Sequence, residues 1–246
     1  MTLRAYVSAH LDDAVFSCGG LMAQQAAAGD EVRVVTVCAG DPPVGELTPF
    51  AYELHRRWGG AGSPMGLRRA EDHVACGRLG ASVVHLATPD AIYRRAKDGE
   101  ALYPNVEALF DRLLPEDGAR IDEAAAALSR ALPAEADLYA PLAIGGHVDH
   151  ILTRRAILRL RRPLWFYRDI PYAIRPTPVE TEPAPTRAAE ALAGLAPGEI
   201  ETWAVAAGEY HSQVSSFWPD FETMEAELRS FHDRFGGIPL LRVDPA

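Results

Sequence analysis

Leu3-Arg4-Ala5-Tyr6-Val7-Ser8-Ala9-His10-Leu11-Asp12-Asp13 begins as a short, apolar, β-friendly run and breaks off at a cluster of imidazole and carboxylate. Residues 3–9 have the length and composition of a buried strand, and the polar quartet His10-Leu11-Asp12-Asp13 reads as a turn. A helical pattern follows over 15–28 and stops at Gly29, a residue able to take the left-handed cap conformation. Val32, Val34, Val35 and Val37 then supply a second strand. Such strand–helix–strand crossovers are nearly always parallel and right-handed. The opening of the chain therefore predicts an α/β protein.

Outward from this unit the alternation continues. Helical spacing over 67–79 ends at Gly80, and 82–86 reads as a third strand. Two more helical patterns cover 105–114 and 121–132, strand four covers 137–143, and an arginine-rich helix follows Gly146. Residues 164–168 read as strand five, while 200–216 and 221–235 look helical. The stretch 40–64 shows no sustained period and reads as a long loop of the kind that carries function. Pro176, Pro178, Pro183 and Pro185 mark an exposed connector or lid, placed at about 176–198 and too short to separate domains. The expectation is one domain over 1–246 with a mostly parallel sheet flanked by helices.

Composition excludes several functions. With 34 Asp plus Glu against 24 Lys plus Arg, the formal charge of −10 repels phosphate backbones and anionic membrane faces. No nucleic-acid or membrane partner is expected. Nor does any apolar run reach the ~20 residues needed to cross a bilayer, and no basic stretch with an apolar signal core opens the chain. Cys18, Cys38 and Cys76 are too few and too scattered for a disulfide framework, which points to a reducing cytoplasm.

In open parallel sheets the functional crevice lies beyond the carboxyl ends of the strands. The first polar cluster follows strand one directly. The second, Gly145-Gly146-His147-Val148-Asp149-His150, follows strand four at the head of a helix. Together they offer three histidines and three aspartates, the neutral imidazole and carboxylate donors that suit catalytic zinc. Either cluster alone is weak evidence, since Asp and His also favour turns and helix caps for local reasons. Both at strand ends of one sheet make a metal-assisted hydrolytic site the better explanation.

These motifs resemble those of the LmbE-like, or PIG-L, N-acetylglucosaminyl deacetylases, whose clusters usually read AHPDDE and HPDH. The resemblance extends to Arg68-Arg69-Ala70-Glu71, to Asp90 and to Tyr210-His211-Ser212-Gln213. It implies a Rossmann-like, LmbE-like fold and a Zn2+ ion, or another divalent metal, held by His10, Asp13 and His150. Asp12 would be the general base for water, and His147, paired with Asp149, would stabilise the oxyanion or protonate the leaving amine. Arg68 and Asp90 would touch the substrate. The implied reaction removes an N-acetyl or other N-acyl group from an amino sugar or its conjugate. Related enzymes are often oligomers, which admits a homo-oligomer here. Leu11 and Ala14 stand where the family usually has proline and glutamate, and the segment before His147 lacks the tyrosine of some thiol-sugar deacetylases.

Rival readings are an amidase for a larger secondary-metabolite or thiol-sugar amide, and a non-catalytic metal-containing binding protein. A nucleotide-binding oxidoreductase ranks last, because Gly19 and Gly20 come too late for a dinucleotide fingerprint. Blander roles fit His73 and His85, which fall within helix and strand patterns. His55 and Trp58 fit either a sugar site or a solvated loop.

Overall fold

Short β-branched runs alternating with amphipathic helices can bury both sheet faces only by winding helices over each of them. The computed structural model, which describes residues 1–59, 62–174, 182 and 188–245, takes this form. In chain order the elements are β1 (Leu3–Ser8), α1 (Asp13–Ala27), β2 (Glu31–Thr36), α2 (Pro49–Trp58), α3 (Pro64–Arg78), β3 (Ala81–His85), α4 (Val106–Leu109) and α5 (Gly118–Ala131). They continue with β4 (Asp137–Pro141), α6 (Val148–Arg159), β5 (Leu164–Tyr167), β6 (Ala188–Ala193), α7 (Pro197–Gly208), α8 (His211–Phe217), α9 (Phe221–Phe235) and β7 (Ile238–Val243).

The sheet runs β3-β2-β1-β4-β5-β7-β6. Five strands are parallel, β7 lies antiparallel to β5, and β6 lies antiparallel to β7. The order reverses between β1 and β4, so their carboxyl ends flank the topological switch point, where a ligand crevice opens in such sheets. Both polar clusters leave the sheet there.

Three features depart from the sequence reading. Within 40–64, α2 forms because Thr48 accepts a hydrogen bond from Ala51 N at 3.1 Å and Pro49 sits at the first helical position. Phe50 and Trp58 are buried on it, and Leu54 packs against the same small cluster. The helix expected over 105–114 shortens to the four residues of α4. Of the expected connector or lid, 176–181 and 183–187 lie outside the described residues, while Ala188–Ala193 is strand β6, ordered by pairing with β7. Among the described residues no helix is long and apolar enough to cross a membrane.

One core lies between the sheet and α1, α7 and α9, and a second lies under α5 and α6. Gly19 lets Trp203 of α7 lie against α1, since a Cβ there would come within 2.5 Å of the indole. The indole Nε1 donates to Val15 O at 2.8 Å. Trp203 is fully buried, so Trp203→Ala should cost about 3–5 kcal/mol. Urea denaturation of the variant against the wild type measures this.

Candidate metal centre and substrate cleft

Beyond β1 the chain turns sharply and is tied by Ser8. Its Oγ donates to His10 O at 2.6 Å and accepts from Ala14 N at 3.1 Å. These bonds hold a turn that has Leu11 where the resembling family has proline, and Leu11 itself is fully buried beside Met65 and Val148. Asp12 stands at the head of α1 but makes no capping hydrogen bond, which removes the bland explanation for its carboxylate. Asp13 Oδ2 accepts from His10 N at 2.7 Å.

Beyond β4, Gly145 adopts φ 91°, and a Cβ there would meet Tyr172 at 2.5 Å. Only glycine fits both constraints. The chain then enters α6 with His147 as its N-cap, its Nδ1 accepting from Asp149 N at 3.2 Å. His150 follows on the same face, fully buried.

The two clusters converge. Asp13 Oδ2 lies 3.3 Å from His10 Nδ1 and 3.3 Å from His150 Nε2. Four ligands at about 2.0–2.1 Å from a tetrahedral zinc stand about 3.3–3.4 Å apart, and both distances from Asp13 Oδ2 match that spacing. His150 Nε2 is buried without a hydrogen-bond partner, as an atom reserved for a cation should be. The far nitrogen of each ring meets a carboxylate: His10 Nε2 faces Asp149 Oδ2 at 3.0 Å, and His150 Nδ1 faces Asp169 Oδ1 at 2.7 Å. Such pairs fix the tautomer that turns the other nitrogen toward a metal.

Two triads, His10 with His147 and His150, and His10 with Asp90 and Asp149, have ligand atoms that all lie within 4.8 Å of one another. In them His147 Nδ1 already accepts a backbone N–H, and Asp149 is engaged with Arg94, Ala91 N and His10. In the set His10, Asp13 and His150 neither ring nitrogen facing Asp13 has a hydrogen-bond partner outside the set, and Asp13 Oδ2, which accepts from His10 N, keeps a further lone pair.

Charge also favours a cation. Asp12, Asp13, Asp90, Asp149 and Asp169 are all at least nine-tenths buried, with Arg68 and Arg94 as the buried guanidinium groups beside them. Without a metal the imidazoles hold protons to compensate. Burial alone would lower His10 and His150, but Asp13, with Asp149 for His10 and Asp169 for His150, outweighs it. His10 is raised well above its ordinary value and His150 is raised to about 10. A divalent ion displaces those protons. Asp12 behaves differently, since burial and the charge of Asp13 push it up to about 7. His147 is held well below its ordinary value by burial and by neighbouring His10, so it is neutral. With Nδ1 accepting from the backbone, its proton sits on Nε2.

The cleft above these groups encloses about 230 Å³. Its floor is His10, Asp12, Asp13 and His147, while Trp58, Phe110 and Phe217 form an apolar wall. Arg68 and Asp90 also line it. The Arg68 guanidinium lies 4.5 Å over the Trp58 ring, with Asp12 and Asp90 at 3.9 and 3.8 Å, too far for hydrogen bonds. Its Nε is buried without a partner. Three residues along α3, Glu71 accepts from Ser212 N at 2.9 Å and from Ser212 Oγ, which docks α8 and brings Gln213 and Phe217 to the cleft.

One expected pairing takes another form. The Asp149 carboxylate turns to His10 rather than His147, and only its backbone N–H reaches the latter, because Arg94 and Ala91 N hold the side chain on the His10 side. Asp169 and Arg94 were missing from the expected site. Asp169 lies just past β5, where the strand-end rule would have singled it out; Arg94 lies in the loop after β3 and carries no such signal. His85 is structural as expected, its Nε2 meeting Asp72 at 2.7 Å, whereas His55 bonds Tyr93 Oη at 2.5 Å beside Trp58.

A Rossmann-like sheet with a His/Asp metal cluster at its switch point defines the class, and comparison with known proteins agrees. The PIG-L family model, described as GlcNAc-PI de-N-acetylase, matches residues 5–160, and the chain belongs to that family. It is 34% identical over 185 residues, 72% of this chain, to a 2′-N-acetylparomamine deacetylase from Streptomyces fradiae. It is 30% identical over 190 residues, 68% of this chain, to the protein of the same name from Niallia circulans. These matches span 60% and 66% of the relatives' own lengths. Among solved structures, a teicoplanin deacetylase in a zinc-inhibited form superposes with a TM-score of 0.83 at 27% identity, over 100% of this chain and 99% of that one.

Removing the acceptor behind His150 should weaken divalent-metal binding without abolishing it. Asp169→Ala is expected to lower divalent-metal affinity by about 10–100-fold, measured by competition with a chromophoric chelator.

Proposed function

We propose that this protein is a metal-dependent N-deacetylase that hydrolyses the N-acetyl group of an amino sugar carried on a larger conjugate. The observation that carries the proposal is Asp13 Oδ2, 3.3 Å from one imidazole nitrogen of His10 and one of His150, with the uncapped Asp12 carboxylate beside them. The relatives named as acetylparomamine and teicoplanin deacetylases support this choice of reaction. His10, Asp13 and His150 would hold the ion, which we take to be zinc. When bound, such an ion polarises the substrate carbonyl and lowers the pKa of water beside it.

Asp12 accepts the proton of the attacking water at a carboxylate oxygen, and a C–O bond forms at the acyl carbon. His147 donates from Nε2 to the oxygen on which negative charge develops. The amide C–N bond then breaks, Asp12 returns its proton to the nitrogen, and acetate and a free amine leave. Arg68, lacking a partner at Nε, donates to substrate oxygens while Asp90 accepts from hydroxyls. The aromatic wall of Trp58, Phe110 and Phe217 favours a conjugate with an apolar aglycone over a free monosaccharide. Cys18, Cys38 and Cys76 are buried and unpaired, in keeping with a cytoplasmic enzyme.

Incubating the zinc-loaded protein with N-acetylated aminoglycosides and glycopeptides, and assaying acetate, tests the activity. Asp12→Asn should keep the metal yet cut kcat by about 10²–10⁴-fold. Retained turnover would remove Asp12 as the base. The rate should climb with pH as Asp12 loses its proton, with an inflection at or below about 7, because the cation's charge favours the carboxylate. Zinc binding without hydrolysis of any acylated amine would return the protein to a binding role.

A further inference from the structure

Arg94 follows the 3-10 turn Ala91–Tyr93 and has no solvent exposure in its side chain. A buried guanidinium must place its N–H groups on acceptors or bear a heavy desolvation cost. Nε and Nη2 donate to Pro89 O at 3.1 and 3.0 Å, and Nη1 donates to Asp117 Oδ2 at 2.8 Å. Nη2 also donates to Asp149 Oδ1. Asp149 spends its other oxygen on Ala91 N at 3.0 Å and on His10 Nε2 at 3.0 Å. A continuous chain of bonds therefore runs from Asp117 through Arg94 and Asp149 to His10.

We propose that Arg94 is a positioning residue for the metal site: by fixing the Asp149 carboxylate on His10 Nε2, it turns the His10 Nδ1 lone pair toward Asp13. The inference rests on the metal-binding reading given above. Asp149 is fully buried with Asp90 nearby, both within reach of His10 Nε2 at 3.0 and 3.8 Å. Without the guanidinium that holds it, Asp149 would be free to swing away, and the His10 ring would lose the acceptor that fixes its orientation. A lysine keeps the charge but cannot reproduce the fork that spans Asp117, Asp149 and Pro89 O.

The test measures Zn2+ affinity by chelator competition in the wild type, Arg94→Gln, Arg94→Lys and Tyr103→Phe. Tyr103 is the stability control. Its hydroxyl donates to Asp117 at 3.0 Å and accepts from Leu114 N at 3.1 Å, with no hydrogen bond to Arg94 or Asp149. Arg94→Gln should weaken Zn2+ binding by about 10–100-fold, with Arg94→Lys between it and the wild type. Tyr103→Phe should melt at a lower temperature yet bind Zn2+ within about two-fold of the wild type. The visible spectrum of the Co2+-substituted protein should shift in the Arg94 variants and stay fixed in Tyr103→Phe. Unchanged Zn2+ affinity in the folded Arg94 variants overturns the proposal, and so does a loss in Tyr103→Phe that matches theirs. If Arg94→Gln does not fold, Arg94→Lys decides the matter by the same readout. A wild type that binds no divalent ion overturns the metal reading itself, a distinct outcome.

Discussion

One carboxylate oxygen, Asp13 Oδ2, is shared by the turn after β1 and the helix after β4, and the rest of the site follows from that meeting. Two imidazoles and several carboxylates packed out of reach of water are unstable unless positive charge is supplied. Part of it comes from Arg94 and Arg68, and part from protons on His10 and His150. A divalent ion satisfies the same need with the two imidazoles neutral. The fold makes the arrangement tolerable by holding the charged groups on rigid strand ends and helix starts, so each has few ways to relax apart. Ser8 closes one turn, and the glycine opposite Tyr172 opens the other.

Asp12 and Asp13 show how adjacent carboxylates are driven in opposite directions by their surroundings. Asp13 is bracketed by two imidazoles and is held well below its ordinary value, burial notwithstanding, with His150 foremost. Burial and the charge of Asp13 push Asp12 up to about 7, against a guanidinium that does not reach hydrogen-bonding distance. Pairs of groups driven apart in this way are how one pocket can both bind a cation and move a proton near neutrality.

The parallel half of the sheet was legible because β1, β2, β3 and β4 are short apolar runs ending in turns, and periodicity detects such runs. The two His/Asp clusters were legible because each follows a strand end, whereas the choice of His10, Asp13 and His150 among them came from the family resemblance alone. For β6 and for the Asp149 side chain the determining interaction was long-range. β6 is Ala-Ala-Glu-Ala-Leu-Ala, a helix-like composition that becomes a strand only because β7 offers an edge. α2 was hidden by its proline and charged residues, although Phe50, Leu54 and Trp58 keep a four-residue spacing. The direction of the Asp149 side chain depends on Arg94, fifty-five positions away in sequence, and no local pattern encodes that.

The lining of the cleft is drawn from stretches of chain far apart in sequence. The floor comes from β1, β4 and their turns, inside the segment 5–160 common to the family, whereas Gln213 and Phe217 come from α8, beyond it. Glu71 fastens α8 to α3 by way of Ser212. Substitutions along this short helix can therefore reshape the rim of the cleft while its fastening, and the turns beneath, keep their geometry.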